Sequence, residues 1–278
     1  MSSTFATIPM YDWAETRAET DALWAGLRDR LRAAGVEAPE TLARCNADLP
    51  AVPGGIRDAA GAVIAADPAT LPPDDLDFAA LWRHPSLLLG QTCWGPMEVG
   101  LADHVQVLGQ PSYDGIPGGA GPDYSSAIVM RRESGAPENF PPPADGLARL
   151  PLDRLRGLRF AYNNPDSMSG LLGISHDLDA KGESLAIFSE RIETGAHRSS
   201  ILAIVEGRAD IATIDCRSWA LARRFEPAAG ELKVVGWTAR RPGLPWITSR
   251  TTPERIAATL RGVLAASDQL ARSRASSG

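Results

Sequence analysis

The chain is poor in several things that would narrow its function at once. It has three cysteines, Cys45, Cys93 and Cys216, odd in number, far apart and without C-x-x-C spacing. That pattern excludes a disulfide framework and a zinc knuckle and leaves reduced thiols as the expectation. There is no excess of positive charge: 28 Lys and Arg stand against 34 Asp and Glu, a formal net charge of -6. No basic footprint for nucleic acid or for an anionic membrane surface follows from such a balance. No apolar run approaches a membrane span, and the opening MSSTFATIPMYDWAETRAETDALW lacks both a basic start and an apolar stretch of signal-peptide length. The expectations are therefore no nucleic acid, no membrane span, no cofactor and no metal. The chain as it stands is expected in the cytoplasm, or in the periplasm if a leader precedes Met1.

What is present is a soluble-type composition, 278 residues with 44% hydrophobic content, enough for one large domain or two lobes. Short apolar runs alternate with amphipathic stretches. FATIPMY reads as a first strand, followed by a helix start of capping-box type, Asp12-x-x-Glu15, with Trp13, Leu23, Trp24, Leu27 and Leu31 at mostly three-and-four spacing up to Gly35. LLLGQT (87–92), HVQVLG (104–109) and SAIVMR (126–131) read as strands. The polar, proline-rich 132–146 reads as an exposed connection. Beyond it LRFAYN (158–163), LAIFSE (185–190), ADIATID (209–215) and LKVVGWT (232–238) read as further strands, with helices opening near Ser167, His197 and Arg217. Thr252 as cap, Pro253, Glu254 and the apolar Ile256, Leu260, Val263 and Leu264 predict a final helix.

In open α/β sheets ligands bind where strands end and helices begin. Four such junctions have unusual chemistry: PMYDW, QTCWGP, NNPDSMSG and TGAHRSS. A helix beginning near Ser167 would offer unpaired backbone N–H groups and the hydroxyls of Ser167 and Ser169 to a small anion. The plainer alternative is N-capping by Asp166 or Ser167, with Gly170 there for close packing. TGAHRSS repeats the arrangement, with His197 either a donor to a ligand oxygen or simply a cap or surface histidine.

The order PMYDW, LLLGQT, DYSSAIVMR, NPDSMSG, GAHRSSI, DIATID and PGLPWIT, over residues 5–250, resembles the phosphate, phosphite and phosphonate class of substrate-binding proteins from ABC importers, which share the type II periplasmic-binding-protein fold. The resemblance implies an α/β protein of two lobes, 1–127 with 240–278 and 128–239, with a ligand cleft between them. It implies a monomer that binds a small-molecule anion and serves an ABC permease. By motif it places Tyr124 and Ser125 at the lobe crossing, Ser167, Met168, Ser169 and Gly170 in the oxyanion loop, His197 at the second helix start, and Asp215 at a strand end. There Asp215 would accept from a protonated ligand oxygen or an amine, or act only as a helix cap. The family's importers carry an export signal, which this chain does not show. Its first-lobe junctions carry Tyr11 and Trp13, and Thr92, Cys93 and Trp94; the aromatic and sulfur-bearing side chains among them suit the wall of a site for an organic substituent. Trp13 on the core face of its helix is the alternative. Two other readings stay open: an enzyme on the same fold with His197 as base and Cys93 or Cys216 as nucleophile, and a ligand sensor.

Overall fold

The computed structural model describes residues 4–132 and 140–275. Its contacts divide the chain into two compact units, Met1–Pro111 with Leu244–Gly278, and Ser112–Gly243. The first boundary falls earlier in the chain than the motif order implied. The cause is the segment after Pro111: Tyr113 stacks on Tyr124 with ring centroids 5.4 Å apart, and Asp123–Tyr124 pairs with both Gly119–Ala120 and Arg241–Pro242 in a small sheet. Gly243 closes this unit tightly, since a Cβ there would lie 2.1 Å from the Tyr113 ring.

The first unit is built on a sheet in the order Phe5–Ala6, Leu87–Gln91, Trp246–Ser249, Val105–Gly109. Only the first pair is parallel. Leu87–Gln91 is buried along its whole length, as a central strand covered on both faces should be. Trp24, Leu27 and Leu31 of the helix Arg17–Ala33 pack with Leu88, Leu89 and Trp246 and with Ala257, Leu260 and Leu264 of the last helix, Glu254–Ala275. Three expectations change here. The first strand is only Phe5–Ala6. Leu23 is 45% exposed, off the buried stripe. The capping box does not form, because the Asp12 carboxylate is taken by Arg44 at 2.6 and 3.1 Å; the chain instead enters through a 3-10 turn, Ala14–Thr16, with Trp13 at its cap position and no side-chain cap. Trp13 therefore stands half-buried ahead of the helix rather than on its core face. Trp246–Ser249, noticed only as part of a motif, is a central strand.

The second unit has the order Glu190–Glu193, Arg159–Tyr162, Ile211–Asp215, Ser126–Arg131, Leu232–Trp237. The first three run parallel and Ser126–Arg131 is antiparallel to both its neighbours. Parallel pairing brings the carboxyl ends of Arg159–Tyr162 and Ile211–Asp215 to one edge, where the loops to Ser167 and Cys216 begin. Ile128, Phe160, Ile174, Leu178 and Ile211 form the core of this unit. LAIFSE is not a strand: Ser184 Oγ accepts from Ala186 N at 3.2 Å and starts a 3-10 turn at Leu185–Ile187. The strand lies later, at Glu190–Glu193, charged as edge strands often are. Part of the expected exposed connection, 133–139, lies outside the described residues. Phe140, just after it, donates its N–H to Val234 O at 2.9 Å and accepts from Trp237 Nε1 at 2.8 Å, so Phe140 borders the edge strand Leu232–Trp237.

Candidate functional site

The strand Arg159–Tyr162 ends at Asn163, and the chain turns into a helix at Ser167. Ser167 Oγ accepts from Gly170 N at 3.0 Å, so Ser167 and not Asp166 is the cap. The first turn, Met168–Leu172, is wound as a π-helix before the α-helix Gly173–Asp179 continues, and Leu171 and Leu172 both donate to Ser167 O at 3.0 Å. Such π turns recur at functional sites because they re-aim the residues ahead of them. Ser167, Met168, Ser169 and Gly170 are all buried.

The second helix start comes to the same place. Gly195, with φ 80° in the left-handed region, turns the chain, Ala196 takes the cap position, and His197 is the first residue of the helix His197–Val205. His197 is thus neither a cap nor a surface histidine. Its side chain is 11% exposed, and its Nε2 lies 2.8 Å from Ser169 Oγ and 3.4 Å from Asp215 Oδ2. Ser169 Oγ is in turn 3.3 Å from Ser167 Oγ. The neighbouring Ser200 is structural, sharing a hydrogen bond of 2.7 Å with Thr194 Oγ1.

Of the two roles weighed for Asp215, the structure shows the helix cap. Oδ1 accepts from Arg217 N and Ser218 N at 3.0 and 2.9 Å and caps the helix Cys216–Phe225, while Oδ2 faces His197. Two lone pairs 3.4 Å apart would repel, so the Asp215 carboxylate selects the imidazole tautomer with its proton on Nε2. That proton is shared with Ser169 Oγ, so the Ser169 hydroxyl donates elsewhere, with Ser167 Oγ 3.3 Å away as one acceptor. Burial holds the His197 pKa below the ordinary histidine value, and the Asp215 charge only partly offsets this.

The arrangement is not a Ser-His-Asp triad. In a triad serine and aspartate occupy opposite ring nitrogens; here both address Nε2, and His197 Nδ1 is buried without a partner. Cys216 does not supply a nucleophile either. It is buried, and burial, helped by the Asp215 charge, pushes its thiol far up, so no thiolate forms near neutrality.

Buried polar side-chain atoms nearly always find partners. Among the described residues the unpartnered ones include Gln91 Oε1, Thr92 Oγ1, Asn163 Oδ1 and His197 Nδ1, all at junctions that the sequence marks as chemically unusual. Gln91 and Asn163 escaped the sequence reading; the signal available for Asn163 was a buried strand that ends on two asparagines. Thr92 is fully buried in the first unit, and Cys93 is buried at the start of the helix Trp94–Glu98. Tyr11 and Trp13 are half-buried in a turn whose carbonyls Thr16 Oγ1 holds at 3.1 Å each. Tyr124 and Ser125 are buried inside the second unit, with Ser125 N donating to Gly118 O at 2.8 Å.

Hydroxyls and a histidine thus gather at two helix starts within the second unit of this α/β chain. The family model for the periplasmic substrate-binding protein of phosphonate ABC transporters matches residues 96–276, and the chain belongs to that family. No curated protein matches it. Among solved structures it is similar to PhnD1 of Prochlorococcus marinus in complex with methylphosphonate, with a TM-score of 0.62 at 15% identity over 94% of this chain and 83% of that one. It is also similar to XAC2383 of Xanthomonas citri bound to chloride, with a TM-score of 0.59 at 16% identity over 95% and 83% of the two chains. A binding-protein component of a phosphonate ABC transporter from Pseudomonas aeruginosa matches with a TM-score of 0.59 at 16% identity over 94% and 74%. At these identities the likeness is one of fold, the two-lobed α/β binding protein. No helix among the described residues is long and apolar enough to cross a membrane.

Proposed function

We propose that this chain binds a small phosphonate, or a related phosphate-like oxyanion carrying an organic group, and as a monomer hands it to an ABC permease. The observation that carries the reading is the Ser167–Ser169–His197–Asp215 array: two serine hydroxyls 3.3 Å apart at a helix start, with His197 Nε2 2.8 Å from Ser169 Oγ and 3.4 Å from Asp215 Oδ2. Donors of this kind, with the partial positive charge of the helix, solvate a tetrahedral oxyanion without a formal cation. The unpartnered hydroxyl of Thr92 is a donor of the kind an oxyanion satisfies. Tyr11, Trp13 and Cys93 are proposed to contact the organic substituent, and Tyr124 and Ser125 to complete the recognition.

Titration calorimetry with methylphosphonate, phosphate, methanesulfonate and acetate tests this. The expected result is binding of a phosphonate or phosphate, weakened roughly 10- to 150-fold in Ser169→Ala, the cost of one hydrogen bond to a charged group. Absence of binding to every tetrahedral oxyanion, or full affinity in Ser169→Ala, would overturn the reading.

A further inference from the structure

We infer that Asn163 is a positioning residue of this site: it sets the spacing between Ser169 and His197, and position 170 is glycine in order to receive its side chain. The inference rests on the oxyanion reading above for what the spacing accomplishes.

The main chain around Asn163 is stitched to the turn before His197. Tyr162 O accepts from Thr194 N and Thr194 Oγ1, each at 2.9 Å, and Asn163 O accepts from Gly195 N at 2.8 Å. Asn164 Nδ2 adds a longer contact of 3.4 Å to Gly195 O. The side chain of Asn163 points the other way, onto the serine loop. A Cβ on Gly170 would lie 1.8 Å from Asn163 Oδ1 and 3.0 Å from its Cγ. The amide oxygen therefore rests against the bare α-carbon of Gly170, a weak C–H···O contact at best.

Gly170 is thereby held on three sides. Its N–H is taken by Ser167 Oγ at 3.0 Å and its carbonyl by Thr213 Oγ1 at 2.7 Å, and Asn163 blocks movement of the α-carbon. Ser169, the next residue back, inherits that placement. Meanwhile Asn163 Oδ1 is buried with no hydrogen-bond partner. An isolated buried acceptor is unfavourable for stability, and an apolar side chain would serve better if filling space were all that mattered. What Asn163 does is join the two segments through one residue, its main-chain carbonyl holding the Gly195–His197 turn and its side chain resting on the Ser167–Gly170 loop.

Three variants test this: Asn163→Ala, Gly170→Ala and the double substitution, each followed by methylphosphonate affinity, thermal stability and the NMR titration of the His197 ring. Asn163→Ala should keep or slightly raise the melting temperature, because the unpartnered acceptor is gone. It should nonetheless lose about tenfold in affinity, the scale of one misplaced charged hydrogen bond, and its His197 titration should shift. Gly170→Ala should lose affinity through the clash, and the double variant should recover part of it, because the new methyl occupies the vacated space. Wild-type affinity together with an unchanged His197 titration in Asn163→Ala would overturn the inference, as would a double variant no better than Gly170→Ala. The His197 titration requires no ligand, so if the wild-type protein binds no oxyanion, the functional reading fails while the spacing role of Asn163 is still decided.

Discussion

Lowering the pH through the range where histidine titrates should weaken the fold, and His197 should account for an identifiable share. Its ring is 11% exposed, its Nε2 is committed to Ser169 Oγ and Asp215 Oδ2, and Nδ1 has no partner that could stabilise a second proton. Burial lowers its pKa and the Asp215 charge raises it, burial being the larger effect. The unfolded chain titrates near the ordinary value of about 6.5. Above that pH both states are neutral and His197 contributes nothing to the pH dependence. Below it the unfolded chain takes up a proton that the folded one refuses, so stability falls, by at most about 1.4 kcal/mol per pH unit, until the lowered folded pKa is reached. His84 is also buried and lowered, and it adds a loss of the same sign. The measurement must therefore be a difference: denaturant unfolding of wild type and His197→Gln at a series of pH values between about 5 and 8. Glutamine keeps a donor toward Ser169 and does not titrate, and His84 cancels. The wild type should lose more stability than the variant below pH about 6.5 and run parallel to it above. Parallel curves throughout would show that His197 is not buried in the neutral state, and the tautomer argument would fall with it. A bound oxyanion favours the imidazolium and raises this pKa, so affinity should increase as pH falls between the free and bound values. That window lies lower than for an exposed histidine.

Three further outcomes follow from two buried carboxylates, Asp177 and Asp215. Asp177 is 6% exposed and accepts from Ala239 N at 2.8 Å while pairing with Arg241; Asp177→Ala leaves the guanidinium without its partner and should cost about 3–5 kcal/mol in denaturant unfolding, a loss under about 1 kcal/mol counting against a buried pair. Asp215→Asn should keep the helix cap and most of the stability, since asparagine caps as well as aspartate, yet lower the His197 pKa further by removing the one charge that raises it. An unchanged His197 titration in that variant would mean the two side chains do not interact. Asp215→Ala, which loses the cap acceptor as well, should cost about 1–2 kcal/mol more.

Much of this was written locally. SAIVMR is a strand over its full length, the helix after NNPDSMSG starts on a Ser167 cap, and the order of short motifs led to the right family. These features depend on a window of a few residues: alternation, a hydroxyl three positions ahead of an amide, a glycine able to take a positive φ. Where a local rule met a distant partner, it failed. Asp12 and Glu15 spell a capping box, but Arg44, far along the chain, claims the carboxylate through two charge-assisted hydrogen bonds. LAIFSE carries the apolar signal of a strand, yet the strand is the charged ERIE just after it, because Arg159–Tyr162 offers that stretch a parallel edge. Trp246–Ser249 is too short to announce itself and becomes central only by pairing with two strands distant in sequence. The site divides in the same way. The residue types Ser, His and Asp at helix starts were legible, because capping and anion binding use the same chemistry. Which nitrogen of His197 is used, that Asp215 both caps and orients, and that Asn163 lies against Gly170 were not. Those are properties of three-dimensional proximity between segments, and a sequence specifies them only through the summed packing and hydrogen bonding of the whole fold.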